Sequence, residues 1–372
     1  MHDMTTGSAT HLNPWMTVEM LSADAMSAVS VGGEPRGFAE WQRVVQRLLG
    51  KTPAAYGGLS TARVGEVLRT VRDEVREVAM RLHTHTGAVQ LQAHPVLGPA
   101  GDVHAVRLWI GPARSRLPEC RPAVGGIWDL ASQTIRMPVR ATHLPGITMR
   151  DYASGMSIAE LFHRWPSFDR HAEVLDLLYE PKPGATLQFD VSAGASVCWR
   201  VSIRARDDER TRGAWLLIED VCPEGALRRP TGLEQVALRE AHRRAGTHLG
   251  MLQVEHASIS HWLTDPAPWI RWDHLISPVD VFHPEDRARL AEAGAHLQAG
   301  EAISMTLRVL SDNCTYVPTQ LSLYGYPGYS ARRLAIAEFV PVFDEISAMR
   351  TRRPVVERSR CTFPPPDHRR AV

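Results

Sequence analysis

The chain has 372 residues, 44% of them hydrophobic and 22% charged, an ordinary globular composition that excludes collagen-like, wholly disordered and mucin-like classes. Its 42 Lys and Arg against 41 Asp and Glu leave a formal net charge of +1, so no global field would draw it onto nucleic acid or an anionic membrane. At about 100 to 150 residues per domain, two or three domains are expected.

In chain order, one unit recurs three times: a short apolar strand, a helical middle, then three strands joined by tight turns. The first copy is predicted to hold helices over Phe38–Leu49 and Val64–Val78, then strands Glu77–Leu82, Ala88–His94 and Val103–Ile110. The second is predicted to have helices over Ser157–His163 and Arg170–Tyr179. Its strands follow at Thr186–Val191, Val197–Ala205 and Ala214–Val221, broken at Ser192–Ser196 and by a charged loop at Arg206–Gly213. A connector helix over Leu233–Ala257 leads into the third copy. That copy has a helix over Pro284–Leu297 and strands Ala302–Leu310, Thr315–Tyr326 and Arg332–Phe343. Alternation such as Leu187, Phe189, Val191 is what an antiparallel sheet with one covered face requires. The expected class is therefore α+β, with three tandem domains, each an antiparallel sheet carrying helices on one face. Their boundaries are 10–115, 116–226 and 227–345, with an Arg- and Pro-rich, disordered tail over 346–372.

The third copy carries a resemblance. Phe282-His283-Pro284-Glu285-Asp286-Arg287, a helix with Leu290 and Leu297, Gly300-Glu301, the strand to Leu310, the turn Ser311-Asp312-Asn313 and two long strands resemble the second half of a PAS domain. Asp312-Asn313 replaces the family's Asp-Gly, a change the hairpin tolerates because Asn adopts the left-handed conformation. Over roughly residues 10–345 the arrangement resembles actinobacterial, chiefly mycobacterial, triple sensor-domain proteins of PAS-GAF-PAS type. The resemblance implies perception of a small molecule and relay to partner signalling proteins, without catalysis. Domains of this kind often pair through flanking helices, so a homodimer is one option. The residues do not distinguish GAF from PAS for the middle copy.

Motifs for chemistry are missing: no GxxxxGK[ST], no GxGxxG opening a helix after a strand, no HExxH and no GxSxG occur. Nor does any helix-turn-helix or basic stripe point to nucleic acid. Among 17 His, the grouping His83, His85, His94 and His104 is the strongest metal candidate, and ordinary surface histidine is the preferred reading. His256 and His261 lack the spacing of a helical pair for haem, and no cofactor is assigned. The five cysteines form no CxxC pair and no even framework, and read as thiols in a reducing cytoplasm. A signal peptide and any run of 18 or more apolar residues are both missing, so no integral membrane segment is expected.

Aromatic side chains mark the candidate pocket. Trp262, Trp269, Trp272, Phe282, Tyr316 and Tyr324, with Met305 as an adaptable wall, would line the third domain, and Trp165, Phe189 and Trp199 the second. Rival readings are a scaffold whose aromatic core is already filled and an enzyme with an unrecognised site.

Overall fold

The computed structural model describes residues 14–22, 24–50, 59–84, 87–165, 170–192, 197–208, 211–221, 232–327 and 334–342. The expected tail, Cys222, Cys361, His85 and the Ser192–Ser196 break beyond its first residue lie outside them. Two compact units form: unit 1 is Met1–Asp129, Arg136–Ser154 and Phe168–Leu227, and unit 2 is Leu130–Ile135, Gly155–Ser167 and Arg228–Val372.

Unit 1 opens with β1 (Met16–Glu19), β2 (Ser27–Val31), β3 (Glu34–Glu40), α1 (Trp41–Gly50), α2 (Thr61–Glu74), β4 (Val78–Thr84), β5 (Gly87–Leu97) and β6 (Val103–Pro112). These strands make an antiparallel sheet in the order β3-β2-β1-β6-β5-β4. The Ser60 hydroxyl caps α2 by accepting from the Arg63 N–H at 3.2 Å, and Val64, Val67, Leu68 and Val71 recur at helical spacing along its buried face. That face packs with Trp41 and Val45 of α1 onto Met16, Val18, Leu91 and Leu108. The helix expected from Phe38 begins only at Trp41, because Ala39 and Glu40 are drawn into the ladder opposite Ala28 and Ser27.

The next elements are β7 (Ala123–Asp129), β8 (Thr134–Arg136), β9 (Gly155–Ser157), α3 (Ile158–Arg164), α4 (His171–Tyr179), β10 (Thr186–Ser192), β11 (Cys198–Asp208) and β12 (Thr211–Asp220). Within unit 1, β10, β11, β12 and β7 are antiparallel neighbours in that order. Leu187, Phe189 and Val191 alternate as buried positions, as predicted. The expected charged loop is instead strand: Arg206 pairs with Gly213 and Asp208 with Thr211 in the β11–β12 ladder. Charge does not break it, because Arg206 ion-pairs with Asp208 and lays its guanidinium 4.0 Å from the Trp215 ring centre.

Unit 2 carries α5 (Leu233–Ala245), β13 (His248–Gln253), β14 (Ser258–Trp262), α6 (Pro284–Gln298), β15 (Ile303–Leu310), β16 (Tyr316–Gly325) and β17 (Leu334–Pro341). The sheet runs β14-β13-β17-β16-β15. The predicted connector is halved, since Gly246 takes the left-handed conformation at φ 70°, ends α5, and the chain then enters β13. None of the residues of α5 is buried, and Leu233 is 82% exposed.

In every repeat the first strand pairs with the last: β1 with β6, β7 with β12, β13 with β17. The α+β class with three antiparallel sheets thus holds. No helix among the described residues is long and apolar enough to cross a membrane. One cysteine corrects the thiol expectation: Cys314 is disulfide-bonded, while Cys120 and Cys198 stay thiols.

Candidate functional site

The aromatic residues of the third repeat meet because of one small residue and one bulge. β14 slips past β13 between Met251 and Leu252, which sets Trp262 opposite Gly250. A Cβ on Gly250 would stand 3.3 Å from the Phe339 ring and 3.4 Å from the Trp262 ring, so glycine leaves both rings room to lie over the strand. Trp262 is 4% exposed, with ring centres 5.1 Å from Phe339 and 6.3 Å from Trp272. Phe282 is fully buried in the same cluster, while Trp269, Trp272 and Met305 pack on it partly buried. Trp269 is tied by its indole N–H to the Thr319 hydroxyl at 3.1 Å and meets His248 edge-on.

The two tyrosines stand elsewhere. Along β16 the buried positions are Val317, Thr319, Leu321 and Leu323, so Tyr316 and Tyr324 fall on the opposite face. Tyr324 is 43% exposed, and Tyr316 donates its hydroxyl to Asp280 O at 3.1 Å and packs on His283 ahead of α6. Both are corrected out of the cluster. Glu285 and Asp286, in the first turn of α6, clamp Arg308 of β15. Asp286 takes the Arg308 backbone N–H and Nε, each at 2.9 Å, and Glu285 takes Nη2 at 2.8 Å. These bonds hold both carboxyls below the usual carboxylate range.

Within the aromatic cluster one donor is left over. The indole N–H groups of Trp15, Trp128, Trp199 and Trp269 bond to Pro118 O, Leu178 O, Pro145 O and Thr319 Oγ1. Trp262 Nε1 is buried with no hydrogen-bond partner among the described residues. A buried, unmet N–H costs roughly 1–3 kcal/mol, so an acceptor there is worth a comparable amount.

Against β14 lies α3, capped by the Ser157 hydroxyl, which accepts from Glu160 N at 3.1 Å. Phe162 meets His261 edge-on at 5.6 Å, and His163 meets Trp272 at 5.1 Å. Glu160 Oε1 accepts the His274 backbone N–H at 3.0 Å. Burial raises the Glu160 carboxyl above its ordinary range and lowers the His163 imidazole. Gln133 adds a second tie, accepting from the Ser258 hydroxyl at 2.6 Å.

The second predicted set is divided. Phe189 and Trp199 are buried in unit 1, whereas Trp165 belongs to the segment of unit 2 that carries α3. The two helices of this repeat go to different units, and no local pattern announces that. The histidine grouping also fails to converge: His94 packs on Trp15, while buried His104 binds Leu216 O and Asp102. No group of three or more His, Cys, Asp or Glu suited to a metal occurs among the described residues.

Sequence reasoning missed a buried polar seam within unit 1. Thr17 and Glu19 alternate with apolar residues along β1, and Ser202 and Arg204 along β11, a pattern usual for a solvated face, yet these four and Glu219 of β12 are all buried. Glu19 receives Arg204 Nη2 at 2.5 Å, and Glu219 Oε1 receives the hydroxyls of Thr17 at 2.6 Å and Ser30 at 2.9 Å. Gln188 donates to Val29 O and accepts from Gly37 N, each at 3.0 Å, and Arg200 reaches Gly33 O while clasping Asp190. The His104 ring stacks on Trp215 at 4.3 Å, nearly parallel at 4°. Leu21, Val29, Val96, Ala105 and Leu217 supply the apolar part. Polar residues alternating on β1 and β11, in strands of the same unit, are the signal that could have found this seam.

A family model described as "Rv3651-like, N-terminal" matches residues 14–119, the first repeat. No curated protein matches. Among solved structures, an uncharacterised protein from Mycobacterium tuberculosis superposes with a TM-score of 0.70 at 17% identity, covering 90% of this chain and 98% of that one. At that identity the likeness shows the fold alone. Two further structures match with small TM-scores that carry no argument. A sensory box histidine kinase/response regulator from Burkholderia thailandensis E264 scores 0.21 at 17% identity, over 31% of this chain and 92% of that one. An RNA-binding light-oxygen-voltage receptor scores 0.22 at 11% identity, over 90% and 96%. The family model and the M. tuberculosis structure agree with the mycobacterial direction of the sequence resemblance.

Proposed function

We propose that this chain is a non-enzymatic, cytoplasmic signal-transduction protein of PAS-GAF-PAS type, sensing a small molecule and relaying its presence to partner signalling proteins. One observation carries the sensing reading: the unmet, buried N–H of Trp262 inside a cluster of flat side chains. It favours a planar, largely apolar ligand bearing one hydrogen-bond acceptor, with Trp269, Trp272, Phe282 and Met305 as neighbours. Repeats that close the same way, first strand on last, support reading all three as sensor-type modules. Binding would act by population shift, favouring whichever packing of the cluster leaves room for the ligand. A homodimer stays part of the proposal, to be tested by sedimentation.

A scaffold is the second reading, and the direct packing of Trp262 on Phe339 and Trp272 favours it. Native mass spectrometry and an absorption spectrum of gently purified protein separate the two. A bound metabolite, lost in Trp262→Phe while the fold is kept, is the expected result. Apo protein from an actinobacterial host, with no added mass and no coloured band, overturns sensing and leaves the scaffold.

A further inference from the structure

The segment Gly155–Ser167 belongs to unit 2, although its place in the chain is between β8 and α4 of the second repeat. Two edge-on ring contacts and one hydrogen bond hold α3 there: Phe162 on His261, His163 on Trp272 at 5.1 Å, and Glu160 accepting from the His274 backbone at 3.0 Å. Ala159 joins the same hydrophobic cluster as Trp262. Trp272 is thus shared, meeting Trp262 on one side and His163 on the other. Packed interiors switch between discrete arrangements rather than deforming continuously, so a turn of Trp272 that opens the cluster must displace His163.

We propose that α3 is the output element of unit 2, reading the position of Trp272 through His163. The proposal rests on the sensing reading above for its input, while its test needs no ligand. Hydrogen–deuterium exchange of the full chain is compared for the unmodified protein, Trp272→Phe, Trp269→Phe and His163→Gln. Trp269 packs on the same cluster but meets His248 instead of α3, which makes it the control. Trp272→Phe and His163→Gln are each expected to raise exchange across α3 about tenfold, with no rise in β5 or β6. Trp269→Phe should leave α3 unchanged. Unchanged α3 exchange in both Trp272→Phe and His163→Gln, an equal rise in Trp269→Phe, or a rise spread evenly over the chain each overturns the proposal. His163 packs one side of its ring on Trp272 and keeps the rest exposed, so His163→Gln serves even if Trp272→Phe fails to fold. The expected pattern in a chain that binds nothing sustains α3 as output and sinks the sensing reading. A bound metabolite with unresponsive α3 does the reverse.

Discussion

The carboxylate of Glu19, with no surface exposed, accepts a hydrogen bond from Arg204 Nη2 at 2.5 Å, and its other oxygen takes the Leu21 N–H at 2.7 Å. Removing two charges from water costs several kcal/mol per ion, so such a pair specifies one arrangement of β1 against β11 more than it stabilises it.

Arg204→Ala should therefore destabilise unit 1 by about 3–5 kcal/mol, because it strands a buried carboxylate. Glu19→Leu with Arg204→Met removes both charges and should recover most of that loss. The Leu21 N–H then stays unmet, leaving a residual cost of about 1–3 kcal/mol. Denaturant unfolding of the three proteins measures this, and a double variant as unstable as the single one refutes it.

Gly125 faces His104. A Cβ at Gly125 would lie 2.5 Å from the imidazole, which must then leave Leu216 O and the Trp215 stack. Gly125→Ala should cost about 1–3 kcal/mol as an overpacking change. Adding His104→Ala should relieve the clash, so the pair is expected to show coupling in a double-mutant cycle.

Glu160 is held above its usual range by burial, so the native state binds its proton more readily than the unfolded chain does. Stability from this group is full below the ordinary glutamate value of 4.5 and is lost as pH rises through the raised folded value. Glu160→Gln keeps an acceptor for the His274 N–H, so it should match the parent at pH values below about 4 and melt higher near pH 8. Burial moves His163 downward, so that group withdraws stability as pH falls below 6.5. His163→Gln should flatten the acid side of the melting profile.

Asp286 behaves oppositely to Glu160. Its carboxyl is lowered by Arg308, so its contribution is present above 3.8 and fades as pH falls through the folded value. Asp286→Asn should cost about 1.5–3 kcal/mol at neutral pH and far less in acid. Calorimetry across that range decides, and a loss independent of pH contradicts the ion-pair account.

The legible parts of this fold are those with a local cause. Leu187, Phe189 and Val191 alternate because a pleated strand turns successive side chains to opposite faces, and Val64, Val67, Leu68 and Val71 recur because a helix turns about every 3.6 residues. Gly246 was visible in the sequence too, but whether it interrupts or ends a helix depends on the conformation the next strand requires.

The amino-acid sequence by itself determined where most strands and helices lie, the class they make, and that Trp262, Trp272 and Phe282 gather in the third repeat. Tertiary structure alone decided that Glu19 and Arg204, 185 positions apart, meet out of water, that Tyr324 faces out, and that α3 belongs to unit 2. The physical reason is that periodicity states which residues share a face but not what covers it. An alternating polar face is the same string of letters whether water or a second sheet lies against it, and only long-range packing chooses between them.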